Sequence, residues 1–160
     1  TDSDIVFGLE AAGVFGPLYV SSEWSRLNAD LDAPLGIGLD NNFNATGAYV
    51  QAGYFLTGES RTYKQSSASF ERIKPDNPMS EGGFGALSVN LAWDYVDLND
   101  RSAGIIGGKQ TGYLASLVWT PESYVRFIMQ YGHADIDDVI FNGVDVGSID
   151  SIGMRAQVDW

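Results

Sequence analysis

Four of the chain's nine basic residues, Arg61, Lys64, Arg72 and Lys74, fall in one stretch of 14 residues. Glu59 stands just before them and Tyr63 among them. Cations gathered this closely can attract and guide small anions. The same residues could equally form a plug or turn tied internally to Glu59. A second basic pair, Arg126 and Arg155, has the same two readings: ion guidance, or a salt bridge to Asp94, Asp159 or Glu10 that stiffens a wall. No catalytic residue is assigned. His133 is the only histidine, and no motif sets a Ser nucleophile beside it. The stretch AGIIGGKQ fails the phosphate-loop pattern at Ala103 and Gln110. The many aspartates, among them Asp30, Asp32, Asp40, Asp97, Asp100, Asp135, Asp137, Asp138, Asp145 and Asp150, read as a solvated acidic surface or as carboxylates bridged through divalent cations to lipopolysaccharide. No metal site or cofactor is expected. A net charge of −12 argues against nucleic acid, and with no cysteine there can be no disulfide.

The elements that must position these residues alternate with a period of two. At the end of the chain Ile152, Met154, Ala156, Val158 and Trp160 interleave with Ser151, Gly153, Arg155, Gln157 and Asp159. The same alternation recurs in DIVFGLEAAGVFG, LYVSSEWSRL, AYVQAGYFLT, ALSVNLAWDYVDL, TGYLASLVWT and SYVRFIMQYG. Such segments are strands with one dry and one wet face. No helical period competes, so the chain is predicted to be all-β.

Half-dry strands serve two architectures. A soluble sandwich or barrel points the dry face inward, and a transmembrane barrel points it to lipid. Trp24, Trp93, Tyr95, Tyr113 and Tyr131 lie toward one end of the dry faces, and Trp119 and Trp160 toward the other. Interfacial aromatic girdles have this arrangement. The opposite faces carry Glu10, Glu23, Tyr49, Gln51, Asn90, Asp94, Arg126, Gln130, Arg155 and Gln157, a mixture suited to water. The pattern therefore favours a membrane barrel lined by these residues. A soluble β-sandwich or barrel binding module is the alternative, and an outer-membrane lipid-modifying enzyme a more remote one.

The turns at Gly16-Pro17 and TPES are short, whereas 28–45, 97–109 and 136–148 read as long outer loops. Residues 57–83 lack a dry face, and Lys or Arg facing lipid there would cost about 2–4 kcal/mol each. They are predicted to be a non-spanning excursion on the periplasmic side. That leaves seven spanning strands, too few to close on themselves without unpaired edges in lipid.

The stretches GLEAAGVFGPLYVSSEW, AYVQAGYFLTGESRTY, FERIKP, WDYVDLND, VWTPESYVRFIMQYGHAD and MRAQVDW resemble the C-terminal half of the phosphate-selective porin O/P family. The resemblance runs nearly the whole length, in order. It implies residues 1–160 as the C-terminal part of one 16-stranded porin barrel in the outer membrane of a Gram-negative cell. It further implies a homotrimer, passage of small ions such as phosphate, and contact with outer-membrane lipid and lipopolysaccharide. Trp160 would end a strand recognised by the barrel-assembly machinery.

Overall fold

The structure is a computed structural model that describes residues 3–33, 35–64, 66, 69–141 and 144–159. Trp160 lies outside the described residues, as do Gln65, Ser67 and Ala68 of the excursion.

Each alternating segment forms a strand. They are β1 (Ser3–Phe15), β2 (Leu18–Asp30), β3 (Asn42–Phe55), β6 (Ala86–Asp100), β7 (Ile105–Glu122), β8 (Val125–Phe141) and β9 (Val144–Val158). The two remaining strands, β4 (Tyr63–Lys64) and β5 (Ser69–Phe70), pair only with each other, inside the excursion. The seven long strands make one sheet in the order β1-β2-β3-β6-β7-β8-β9, antiparallel throughout. Among the described residues, the outer edges of β1 and β9 have no strand partner. The β1–β2 hairpin turns on Gly16 and Pro17. Gly16 supplies the positive φ of 60° needed at the first position of such a turn, where a side chain would be strained.

Two of the three expected outer loops are instead hairpins. β6 continues to Asp100 and β7 starts at Ile105, and only residues 142 and 143 separate β8 from β9. The Asp-rich composition suggested loops, but bulges absorb the polar residues without ending the ladder. The register shifts between Asp97 and Asn99 and between Ile136 and Ile140. At the second shift Asp138 adopts a φ of 60°, which a short polar side chain tolerates. Asn99 ties the two irregularities together: its Nδ2 donates to Asp138 Oδ2 at 2.9 Å, and its Oδ1 accepts from the Gly108 N–H at 2.9 Å. Asp100 closes the adjoining turn, accepting from Ser102 Oγ at 2.6 Å and from the Asn44 N–H at 2.8 Å. With 13 to 18 residues, the long strands exceed the about 9–11 that a bilayer requires.

Register carries the dry sides of all seven strands onto one surface. Gly13, Val20, Ala52, Leu91, Ala115, Tyr131 and Ile152 are successive cross-strand partners, and Phe15, Leu18, Tyr54, Val89, Leu117, Met129 and Met154 form the next row. This surface is open. Leu9 is 61% exposed, Leu91 59%, Ile152 76% and Met154 78%. A sandwich would cover it with a second layer, and no described element does so. An apolar band this continuous would aggregate in water and is stable against hydrocarbon. Leu91→Arg is therefore expected to destabilise the membrane-inserted protein by about 2–4 kcal/mol. Glu10→Arg, at an exposed position of the other face, should cost far less. Denaturant unfolding in lipid bilayers checks the difference.

Candidate functional site

The opposite surface is polar and carries every residue expected to face water on the seven strands. Glu10, Glu23, Tyr49 and Asp94 are consecutive cross-strand partners, followed by Gly112. Three carboxylates thus share one row. Gly112 leaves room for the Asp94 side chain, because a Cβ there would collide with the carboxylate. Gln51 lies in the next row, bonded through Nε2 to Ser21 Oγ at 2.7 Å. Asn90 and Gln130 belong to the row after that, with Ser116 between them. Arg155 pairs with Ile128, and Arg126 with Gln157, near the Ser123–Tyr124 turn. Along the strands the row of Glu10, Glu23 and Asp94 thus lies near mid-strand, and Arg126 and Arg155 lie nearer the short turns, where Asp159 also stands.

The described aromatics expected at the interfaces, Trp24, Trp93, Tyr95, Tyr113, Trp119 and Tyr131, occupy the other surface. Trp24 and Tyr95 flank Ala48, Trp93 faces Tyr113, and Trp119 faces Phe127. Trp93 and Tyr95 stack with ring centroids 6.2 Å apart. Trp119 stacks on Phe127 at 5.4 Å and donates through Nε1 to the Phe84 carbonyl at 2.8 Å. His133 lies on this apolar side beyond Tyr131, its Nδ1 2.9 Å from Asp150 Oδ1 and its Nε2 3.3 Å from Asp135 Oδ1.

The chain leaves the sheet after β3, and among the described residues of 57–83 Arg61, Phe70, Glu71, Arg72 and Ile73 lie against its polar face. Tyr19, on that face, crosses Gly53 so that its hydroxyl donates to Asn90 Oδ1. A Cβ at Gly53 would stand inside contact distance of both side chains. The Tyr19 ring packs with Phe55 and with Phe70 of β5, and Val14 and Ile73 join them. The Arg61 guanidinium lies over both rings, 4.7 Å from Tyr19 and 4.6 Å from Phe70. Stacking of this kind is worth about 0.5–2 kcal/mol per contact, more when water is excluded. Arg61 Nε is buried with no hydrogen-bond partner, so this arginine is placed chiefly by its rings. Tyr63 packs edge-on against Phe70 at 5.2 Å. Glu59 is buried and accepts from the Thr57 hydroxyl. Lys64 and Lys74 are exposed and do not line the cavity that Arg61 and Arg72 share.

That cavity, 310 Å³ in volume, lies between excursion and sheet. Arg61, Arg72 and Arg126 line it together with Glu71 and Asp159. Arg126 Nη2 donates to Asp159 Oδ2 at 2.9 Å, and Arg72 Nη2 lies 3.9 Å from the same oxygen. Gln157 Nε2 donates to Oδ1 at 2.6 Å. The hydrogen bonds from Gln157 and then Arg126 hold the Asp159 carboxyl below the usual carboxylate range. A carboxylate depressed in the fold contributes stability above its unfolded pKa and loses it as pH falls through the folded one. Of the two readings of the basic pair, Arg126 makes the wall ion pair, whereas Arg155 has none among the described residues. Tyr19, Phe55 and Phe70, which seat the excursion, belong to no motif in the sequence. The available signal was a large ring on the wet side of β2 opposite a glycine.

A model of the family described as phosphate-selective porin O and P matches residues 1–160. An uncharacterized protein of Caulobacter vibrioides is 37% identical over 163 residues, covering 99% of this chain and 31% of its own length. Porin O of Pseudomonas aeruginosa is 37% identical over 153 residues, covering 89% of this chain and 32% of its own. The chain thus spans about a third of the length of the curated relatives it matches.

The seating of Tyr19 across Gly53 can be tested by filling the gap. Gly53→Val should break the Tyr19–Asn90 bond and lift the excursion, at about 1–3 kcal/mol for overpacking. Faster protease cleavage within 57–74 is the expected readout, with the strands remaining intact.

Proposed function

As the chain belongs to the phosphate-selective porin O and P family, we propose that it forms seven adjacent strands in the wall of an outer-membrane channel. Small charged solutes, phosphate and other anions among them, diffuse through it passively. The observation that carries this reading is the two-sided sheet, apolar and open on one surface, polar and partly covered by the 57–83 excursion on the other. Its strand edges call for further strands, and relatives about three times as long have the chain to provide them. In this reading residues 1–160 are the C-terminal part of the barrel, and the short turns and the excursion lie at the periplasmic end.

No bond is made or broken in such a channel. A solute gives up part of its hydration shell and finds side-chain donors and acceptors in its place. Passage requires that these exchange partners be good enough to admit the ion and weak enough to release it. On this wall an anion meets the Glu10–Glu23–Asp94 row first and the arginine-lined cavity second. The carboxylates oppose anion entry, so the preference for anions should be moderate. On the outward surface, lipid and lipopolysaccharide meet the apolar band and its aromatic margins.

Reversal potentials in a salt gradient across planar bilayers test the reading on the full-length channel. A modest anion preference is expected, and Glu10→Gln with Glu23→Gln should increase it. Absence of conducting events, or a clear cation preference, would contradict it.

A further inference from the structure

We infer that Asp159 sets how tightly the channel holds an oxyanion, because it occupies one of two arginines and leaves the other able to exchange. This rests on the channel reading above. Arg126 and Arg72 compete for one oxygen of Asp159, at 2.9 Å and 3.9 Å. The first distance is a hydrogen bond and the second is not. The other carboxylate oxygen is occupied by Gln157, and the Asp159 N–H donates to the Tyr124 carbonyl at 2.8 Å. The carboxylate is thus fixed on the wall and already satisfied by Arg126 and Gln157.

Arg72 is placed differently. Its side chain is 50% exposed, on the excursion and not on a strand, and it borders the same 310 Å³ cavity. A water occupies about 30 Å³ of liquid volume, so a small oxyanion enters that space with part of its hydration shell. The cavity's three arginines face two carboxylates, Glu71 and Asp159, which leaves one positive charge uncompensated. Ser88, Asn90, Ser116 and Gln130 add hydroxyl and amide donors. A guanidinium presents a planar fork that matches an oxyanion. Arg72 can turn that fork from Asp159 to a passing oxyanion and back again. Without the carboxylate, Arg72 and Arg126 would both close on the oxyanion and retain it. The carboxylate makes the site a station and not a trap.

Single-channel recording of the full-length protein in chloride, with inorganic phosphate titrated in, tests this. Asp159→Asn preserves shape and removes the charge. It should lower the phosphate concentration that half-blocks the current by about tenfold, the scale of one charge-assisted hydrogen bond. Arg72→Gln should raise that concentration. An Asp159→Asn channel that blocks at the wild-type concentration overturns the inference. Should Asp159→Asn fail to insert, Arg72→Gln decides: block at the wild-type concentration overturns the inference, and weakened block supports it. A wild-type protein that gives no openings overturns the channel reading itself, an outcome distinguishable from unaltered block in a working channel.

Discussion

Within hydrocarbon a backbone N–H or C=O has no water to bond, and each one left unpaired costs several kcal/mol. A sheet meets that constraint only through continuous ladders, and everything else in this molecule follows from keeping them continuous. The strands run 13 residues or more. The register passes from β1 to β9 without a crossover, since the excursion between β3 and β6 leaves those two strands adjacent. Where polar sequence would interrupt a ladder, a bulge absorbs it, as at Asp97–Asn99 and Ile136–Ile140. The side chains are thereby divided: one parity forms the apolar face and the other the polar face.

The polar surface faces a different problem. It needs a shape that a single sheet cannot provide, and residues 57–83 supply it by folding across the face. Their attachment is mostly aromatic. Tyr19, Phe55 and Phe70 make a small apolar patch on an otherwise polar wall, and Arg61 lies over two of the rings. At the other side of the excursion Arg72 approaches Asp159 near the end of β9. The part of the chain with the most basic residues is thus held by rings at one point, and at another its Arg72 stands near a carboxylate that Arg126 already engages.

Strands and faces were legible in the sequence because a period of two reports the pleat directly, whichever side is dry. Leu87, Val89 and Leu91 with Ser88 and Asn90 between them carry that period, and they lie in β6. The non-spanning character of 57–83 was legible for the complementary reason: neither parity of Thr62 to Arg72 is dry. The position of that segment was not legible. It depends on Tyr19 reaching across Gly53 to Asn90, contacts 34 and more residues apart that leave no local pattern. The hairpin ends of β6 to β9 read as loops because Asp content signals a turn, whereas Asp97 and Asp138 sit at register shifts and Asp135 and Asp137 within the paired ladders. That Asp159 serves Arg126 and Arg72 at once is a fact of distance, which spacing alone does not contain.

Depth-dependent fluorescence quenching measures most directly whether the apolar face meets lipid. With Trp93 or Trp119 retained as the single tryptophan, the full-length protein is reconstituted in bilayers whose acyl chains carry bromine at defined depths. Both tryptophans should be quenched by the brominated chains, most strongly by bromine near the headgroups, and shielded from aqueous iodide. Quenching by iodide with indifference to brominated lipid would contradict the outward orientation, and with it the assignment of the opposite face to a water-filled channel.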